Sequence, residues 1–115
     1  MGALKRIAPI FGVQDVDAAL KHYARMGFAV RAYDKGGYGF AVRDGLEIHL
    51  GVAGEEADHR NSAYLFVDDA DALAEEWRAA GLEVHGPEDT EWGQHEGAIV
   101  DPDNNVIRFG SPMPD

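Results

Sequence analysis

Four ionisable side chains are spaced so that they could act together in chemistry: Glu47, His49, His95 and Glu96. Glu47 and His49 are two residues apart in an apolar run, so on a strand they share one face, whereas the adjacent His95 and Glu96 point to opposite faces. A carboxylate and an imidazole, joined by a loop histidine, could bind a divalent metal. Two candidates on one strand do not make an enclosed site, so we favour polar residues that line a pocket. The atypical metal site is the alternative.

The sequence lacks the other groups on which catalysis usually depends. Cysteine is absent, which excludes disulfides, thiolate metal sites and cysteine nucleophiles. The motifs of a nucleophile elbow and of a phosphate-binding loop are also absent. Neighbouring carboxylates at residues 55–56, 68–69 and 75–76 fall in a linker, at a helix start and on a helix surface, where solvated charge explains them. We therefore predict no catalytic residues.

The overall charge narrows the classes of partner. The 115 residues include 21 acidic and 10 basic side chains, which gives a net charge of −11. A chain this acidic is a poor partner for nucleic acid or an anionic membrane, and it favours a cationic small molecule. No run approaches the roughly 20 apolar residues of a membrane span, and the start, MGALKRIAPI, lacks the apolar core of a signal peptide. We expect a cytoplasmic protein.

An internal repeat organises the chain. Residues 13–30 and 67–84 align without gaps at an offset of 54, and 6 of the 18 aligned positions are identical. The identical pairs are Val13/Val67, Asp15/Asp69, Asp17/Asp71, Ala18/Ala72, Gly27/Gly81 and Val30/Val84. Two copies at this period are too few for a solenoid, so the pattern indicates one module duplicated within one domain.

Each copy carries the same helix signals. Asp15 and Asp69 are good N-caps, apolar residues recur at helical spacing, and Gly27 and Gly81 end the helices. The apolar stripes are Val16, Ala19, Leu20 and Tyr23 in the first copy and Ala70, Leu73, Ala74 and Trp77 in the second. We expect two short amphipathic helices.

Strands are predicted around these helices, at residues 6–11, 29–33, 38–43 and 46–52, then at 62–67, 83–85, 97–100 and 106–110. Asp44-Gly45 is a two-residue hairpin signal, and residues 101–105 form the last turn. The order β-α-β-β-β occurs twice and predicts an α+β fold, one cupped mixed sheet covered by two helices. A single domain would span residues 1–115, with repeats at about 5–52 and 62–110. Residues 53–61 are interpreted as a linker, 87–95 as a loop and 111–115 as a frayed end.

Strand alternation sorts the side chains of the sheet. The residues predicted to pack under the helices are Leu46, Ile48, Leu50, Ala63, Leu65, Val67, Ile107 and Phe109. The concave face then receives Glu47, His49, Ser62, Tyr64, Phe66 and Arg108. A face that mixes aromatic rings with a few charged groups is typical of a small-molecule site. Trp92 and Tyr38 lie outside the core pattern, where we expect exposed rings.

Several short motifs accompany this framework. They are Pro9-Ile10, residues 13–16, Tyr23, residues 26–28, residues 42–45, Trp92-Gly93 with Glu96, and residues 101–105 followed by 108–110. With the doubled β-α-β-β-β unit, they resemble the vicinal oxygen chelate superfamily, which includes glyoxalase I, extradiol dioxygenases and bleomycin resistance proteins. The turn at residues 101–105 is shared across that superfamily. Trp92-Gly93 with Glu96 is more specific to the drug-binding branch, which usually has arginine at the position of His95.

The resemblance also identifies four positions at which the enzymes of the superfamily bind a divalent metal. They match Ala8, His49, Ser62 and Arg108. Alanine has no ligand atom, serine is a weak ligand and arginine carries a permanent positive charge. We therefore expect no metal, no other cofactor and no enzymatic activity. The alternatives are a metal-dependent glyoxalase-like or dioxygenase-like enzyme, and a binding module for an unknown small metabolite.

The drug-binding branch implies a ligand and an assembly. The ligand would be a cationic glycopeptide antibiotic of the bleomycin type, sequestered without chemistry so that the cell is resistant. The expected ligand-binding residues are Trp92, Tyr38, Phe40, Glu47, His49, Tyr64, Phe66, Glu91, Glu96 and Arg108.

Within this set, Trp92 with Tyr38 or Phe40 would stack on the planar end of the drug, and the three glutamates would hold its cationic tail. Arg108 would repel a cation unless Glu47 or Glu96 neutralises it. The branch forms its pockets between two subunits and often exchanges the N-terminal strand, so we expect a homodimer, with Pro9 as an arm hinge.

Overall fold

The β-α-β-β-β order occurs twice, as predicted, in a computed structural model that describes residues 2–53 and 61–113. The first copy contains β1 (Ile10–Val13), α1 (Val16–Arg25), β2 (Ala29–Ala32), β3 (Tyr38–Arg43) and β4 (Leu46–Val52). The second contains β5 (Ser62–Phe66), α2 (Ala70–Ala79), β6 (Val84–Asp89), β7 (Gln94–Val100) and β8 (Val106–Pro112). The chain divides into two compact units, Met1–Ala57 and Asp58–Asp115, called here the first and second unit.

The repeated signals begin and end the helices as expected. The Asp15 carboxylate accepts a hydrogen bond from the Ala18 amide at 3.1 Å, and Asp69 does the same for Ala72 at 3.0 Å. These bonds satisfy amides that have no partner within the helix. Gly27 and Gly81 follow the helices with φ angles of 88° and 83°, a conformation that glycine adopts without a steric penalty.

In the first unit, α1 covers a four-stranded sheet in the order β1-β4-β3-β2. β1 pairs with β4 in parallel, and the other neighbours are antiparallel. The core is formed by side chains that are essentially inaccessible to solvent: Phe11, Val13, Tyr23, Met26, Ala41 and Leu50. Gly39 permits the helix to approach, since a Cβ there would lie 2.9 Å from Leu20. Asp44 and Gly45 make the predicted β3–β4 turn, with φ angles of 51° and 79°.

In the second unit, α2 covers a sheet in the order β5-β8-β7-β6, again with one parallel pair, β5 and β8. Trp77 packs edge-on against Phe109 at 5.1 Å between ring centroids. The turn before β8 is closed by buried Asp101, whose carboxylate accepts hydrogen bonds from the amides of Asp103 and Asn105 at 2.8 and 2.9 Å. The polar residues of the turn thus stabilise the connection between β7 and β8.

The α+β class is confirmed, and each unit contributes one four-stranded mixed sheet and one helix. The prediction of a single domain stays a prediction. Across residues 2–53 and 61–113, no helix combines the length and apolar character needed to cross a bilayer. Most of the predicted linker, residues 54–60, lies outside the described residues.

Several strand boundaries, and the burial of Leu46, differ from the sequence prediction. β1 begins at Ile10 rather than at residue 6, after Pro9, which has no amide hydrogen to donate. Leu46 is 54% exposed because it lies beside the turn, beyond the area that the helix covers. The predicted loop at residues 87–95 is mostly strand, since β6 runs to Asp89 and β7 starts at Gln94. β8 runs to Pro112, and buried Ser111 accepts a hydrogen bond from the Ala70 amide at 3.1 Å, so this end of the chain is not frayed at residue 111.

Candidate functional site

The first unit leaves one face of its sheet free of the helix, and a row of side chains crosses it. Strand pairing aligns Ile10 with His49, His49 with Phe40, and Phe40 with Arg31. Phe40 contacts the His49 ring edge-on, with 4.9 Å between the ring centroids. The Arg31 guanidinium lies over the Phe40 ring, 4.2 Å from its centroid. This surface, with Tyr38 and Glu47, is called the first open face. Arg31 was not among the predicted ligand-binding residues, although strand alternation places it on this face.

His49 is the centre of a hydrogen-bonded chain on the first open face. Its Nδ1 lies 2.8 Å from the Tyr38 hydroxyl and its Nε2 lies 2.9 Å from Glu47 Oε1. Arg6 forms an ion pair with the other oxygen of the same carboxylate. Glu47 is therefore already neutralised, and both nitrogens of His49 have partners. The Tyr38 side chain is half-buried beside His49, so the prediction of an exposed ring was wrong.

The second unit has an equivalent surface, called the second open face, made by Tyr64, Phe66, Glu96, Arg108 and the nearby Trp92. Strand pairing places Tyr64 beside Arg108, and Phe66 and Glu96 on either side of Gly110. The Tyr64 and Phe66 rings are tilted by 44° with centroids 4.8 Å apart. Phe66 is 80% exposed and Trp92 is 65% exposed. The predicted exposure of Trp92 is confirmed.

Glu96 links the polar groups of the second open face. Its Oε2 lies 3.4 Å from Arg108 Nη1, and its Oε1 accepts a hydrogen bond from the Trp92 indole N–H, also at 3.4 Å. The Glu96 side chain is only 11% exposed, so most of this charged group is shielded from solvent. The carboxylate neutralises the guanidinium and also orients the indole. Glu91 lies on the turn between β6 and β7 and is exposed.

The Tyr64 hydroxyl lies against the backbone at Gly110. A Cβ at Gly110 would be 3.1 Å from Tyr64 Cζ and would overlap the hydroxyl oxygen. Burial, and next the neighbouring Glu96 carboxylate, raise the pKa of Tyr64, while Arg108 acts in the opposite direction. Tyr64 is therefore a neutral ring that packs on the sheet rather than a source of charge.

His95 was considered only as a ligand of the alternative metal site, yet it makes two close contacts with aspartates on the helix side of the second sheet. Its Nε2 lies 2.8 Å from Asp71 Oδ1 in the first turn of α2, and its Nδ1 lies 2.8 Å from Asp89 Oδ1 at the end of β6. Strand alternation correctly placed His95 and Glu96 on opposite faces. No local sequence pattern indicated that Asp71 and His95, which are 24 positions apart, would meet.

The open faces, taken one at a time, bring the predicted ligand-binding residues into two clusters. Tyr38, Phe40, Glu47 and His49 lie together in the first unit. Tyr64, Phe66, Trp92, Glu96 and Arg108 lie together in the second, with Glu91 on the adjacent turn. A family model for the glyoxalase/bleomycin resistance protein/dioxygenase superfamily matches residues 4–109.

The chain belongs to the glyoxalase/bleomycin resistance protein/dioxygenase superfamily. Among solved structures of this fold, a bleomycin resistance determinant encoded on the transposon Tn5 aligns with a TM-score of 0.84, at 22% identity, over 96% of this chain and 100% of that chain. A bleomycin-binding protein in complex with bleomycin aligns at a TM-score of 0.83 and 23% identity, with the same coverage.

The superfamily fold also occurs in proteins with other descriptions. TnmS3, an antibiotic-binding protein from a Streptomyces species, aligns at a TM-score of 0.75 and 24% identity, over 98% of this chain and 100% of that chain. A lactoylglutathione lyase from Agrobacterium tumefaciens aligns at a TM-score of 0.75 and 17% identity, over 95% of both chains. Against curated proteins, no sequence matches this chain.

The metal of the superfamily's enzymes does not fit the residues at the corresponding positions. In the first unit they are Ala8 and His49, and both ring nitrogens of His49 are already hydrogen-bonded. In the second they are Ser62 and Arg108, of which the second is a cation. Within residues 2–53 and 61–113, no group of three or more acidic, histidine or cysteine side chains could hold a metal ion. The first half thus offers one ligand whose nitrogens are already engaged, and the second half offers only the weak donor Ser62.

Proposed function

We propose that this protein binds and sequesters a cationic glycopeptide antibiotic of the bleomycin type without transforming it. The observation that carries the proposal is the exposed Trp92 ring, whose N–H is held by Glu96 on the second open face. An indole oriented by a hydrogen bond presents a flat apolar surface at a lower entropic cost than a freely rotating one. Phe66, the other highly exposed aromatic ring of this face, extends the surface available to a planar heteroaromatic group.

The charges of the second open face are compatible with a cationic ligand. Glu96 neutralises Arg108, so the guanidinium does not present an unpaired positive charge to the ligand. Glu91 is exposed on the adjacent turn and can pair with a cationic tail. The net charge of −11 would attract the ligand from a distance and increase its rate of encounter, an effect that salt weakens. Glu47 is a poorer candidate than Glu91, because Arg6 and His49 already occupy its oxygens.

The absence of catalysis is part of the same proposal. Ala8, Ser62 and Arg108 replace three of the four ligands that the superfamily's enzymes would need, so the chain lacks the donors for a resident divalent metal. A protein purified without chelator should therefore contain no stoichiometric zinc, nickel, iron or manganese. Stoichiometric metal in elemental analysis would favour the enzyme alternative instead.

We also propose a homodimer. Leu4 and Ile7, in the segment before β1, are 102% and 92% exposed, which is costly for two large aliphatic side chains. Only part of the segment is attached to its own unit, through Arg6 and the carbonyl of Pro9, which accepts a hydrogen bond from the His49 amide at 2.9 Å. A second copy of the chain would cover these apolar side chains.

Replacement of Trp92 by alanine tests the ligand. We expect Trp92→Ala to weaken bleomycin binding by roughly 1–3 kcal/mol, the range typical of the loss of one stacking aromatic ring. Isothermal titration calorimetry is the suitable measurement, since the variant removes the exposed fluorophore. Because an apolar stacking contact persists in salt, affinity should fall but not vanish as the salt concentration rises.

The control for this experiment is Leu46→Ala, which removes another exposed apolar side chain at a hairpin end, in the first unit. It should leave the affinity unchanged. If wild-type protein shows no heat of binding at tens of micromolar bleomycin, and its expression does not protect cells, the sequestration proposal is wrong. Equal affinities of Trp92→Ala and wild type would remove Trp92 from the site.

A further inference from the structure

His95 lies between two aspartates that belong to different elements of the second unit. Each ring nitrogen lies 2.8 Å from a carboxylate oxygen, one from Asp71 on α2 and one from Asp89 on β6. The His95 side chain is 24% exposed, while the aspartates are 70% and 65% exposed. The imidazole is thus the least exposed member of a three-residue bridge between the helix and the hairpin.

The chemistry of this bridge selects one protonation state of His95. A neutral imidazole has one N–H donor and one acceptor nitrogen, whereas an ionised carboxylate can only accept. Two carboxylates at hydrogen-bonding distance from both nitrogens can be satisfied together only when both nitrogens carry a proton. Loss of one proton would leave a nitrogen lone pair facing a carboxylate oxygen, so that one of the two contacts would become repulsive.

The bridge holds the part of the second unit that presents the ligand-binding side chains. His95 and Asp89 are paired residues at the end of the β6–β7 hairpin, whose turn is closed by a hydrogen bond from the Thr90 amide to the Gln94 carbonyl at 2.9 Å. Trp92 lies in that turn, and Glu96 is the residue after His95. The Asp71 contact attaches this hairpin end to α2 from the opposite side of the sheet.

We propose that His95 is a positioning residue for the second open face: by bridging Asp71 and Asp89 while doubly protonated, it fixes the hairpin end that carries Trp92 and Glu96. The ligand then binds most tightly when His95 is charged. The part of this inference that concerns ligand affinity rests on the proposed function. The part that concerns the hairpin does not.

The surroundings of His95 determine the direction of its pH dependence. Asp71 faces it from α2, Asp89 faces it from β6, and its neighbour on β8 is the uncharged Ser111. The hydrogen bond to Asp71, and next the one to Asp89, raise the pKa of His95 above its usual range. Because the folded-state pKa is raised, the bridge makes its full contribution to the stability of the folded state below the unfolded-state pKa of about 6.5. That contribution is lost as the pH rises through the folded-state pKa.

The first experiment follows the bridge without a ligand. The imidazole signals of the five histidines and the indole N–H signal of Trp92 are recorded by NMR as a function of pH, with His95→Gln used for assignment. We expect His95 to titrate above the usual range and the Trp92 signal to shift with the same midpoint. Asp71→Asn should lower the midpoint. Asp17→Asn is the matched control, because Asp17 is the equivalent residue in the first turn of α1 and should leave the midpoint unchanged.

The second experiment compares bleomycin affinity in wild type and His95→Arg over the same pH range. Arginine keeps its charge and several donors, so it can satisfy both aspartates at every pH. The ratio of the two dissociation constants cancels any titration of the drug itself. We expect wild type to lose about two- to fivefold in affinity relative to His95→Arg as His95 deprotonates, the size of one exposed ion pair. His95→Gln should bind more weakly than wild type at low pH.

The two experiments separate this inference from the proposed function. If the Trp92 signal does not follow the titration of His95, the positioning role is wrong, whatever the protein binds. If it follows and bleomycin does not bind, the positioning role stands and the ligand proposal fails. If bleomycin binds but the ratio of dissociation constants is constant across the titration, the link between His95 and affinity is wrong and the ligand proposal stands.

Discussion

Two glycines occupy equivalent positions in the closing strands of the repeats but differ in the space around them. Gly51 follows His49 by two residues, and Gly110 follows Arg108 by two. A Cβ at Gly51 would lie 3.4 Å from the Tyr38 ring, an ordinary contact, whereas one at Gly110 would overlap the Tyr64 hydroxyl. The side chain that fills the space differs because Tyr64 packs across β8 while Tyr38 turns toward His49.

This difference predicts unequal effects of the same substitution. Gly110→Ala should destabilise the fold by about 1–3 kcal/mol, since the added methyl group displaces Tyr64 from a packed position. Gly51→Ala is the matched control and should change stability by less than about 1 kcal/mol. Urea unfolding of the two variants is the measurement. Equal stabilities of the two variants would contradict the close packing of Tyr64 over Gly110.

Individual side-chain interactions were predicted less well than residue faces. The face shared by Glu47 and His49, and the opposite faces of His95 and Glu96, follow from a period of two, which is a local property of any strand. The Glu96–Arg108 ion pair was foreseen only as one of two choices, because strand order decides which carboxylate reaches the guanidinium. Arg31 and His95 could not be assigned partners, since Phe40 and Asp71 meet them only after the strands and helix are assembled.

The two repeated aspartates initiate the helices, so the loss of either carboxylate should destabilise the fold. Asp69→Ala should lower the free energy of unfolding by about 1 kcal/mol, because the Ala72 amide would lose its acceptor. Asp68→Ala, one residue earlier and also exposed, removes the same charge without removing the cap. Chemical denaturation monitored by circular dichroism compares them. An unchanged midpoint for Asp69→Ala would contradict the capping role.

The elements themselves were largely predictable. Both helices, β3 and β4 follow from repeated caps, apolar stripes and the Asp44-Gly45 turn, all of which are local signals. The errors lie where neighbours decide the outcome. β6 and β7 extend through polar residues because they pair with each other, and β8 extends to Pro112 because β7 supplies its partner at Gln94. Polar sequence alone does not distinguish a paired strand from a loop.

The proposed homodimer would bury the exposed side chains of Leu4 and Ile7, so its mass and its response to their replacement can be predicted. Sedimentation of the wild-type protein should give about twice the 12.5 kDa mass of one chain, because burial of Leu4 and Ile7 favours association by roughly 1.5–3 kcal/mol for each side chain. The double variant Leu4→Asp, Ile7→Asp should shift the equilibrium toward the monomer. Lys5→Asp is the control, at a position between these two residues. It changes the charge at one position more than either leucine or isoleucine replacement does, but it removes no apolar side chain, so this variant should remain dimeric. A wild-type monomer at micromolar concentration would overturn the assembly.

The two tryptophans have opposite surroundings, which makes the chain its own optical reference. Trp77 is 1% exposed in the core beside Phe109, and Trp92 is 65% exposed among acidic side chains. Emission from Trp77 should therefore be blue-shifted and protected from collisional quenchers, while emission from Trp92 should be red-shifted and accessible. Because Glu91 and Glu96 are close by, a cationic quencher reaches Trp92 more readily than an anionic one of similar size. Any change in the red part of the spectrum thus reports on a single turn, the one between β6 and β7.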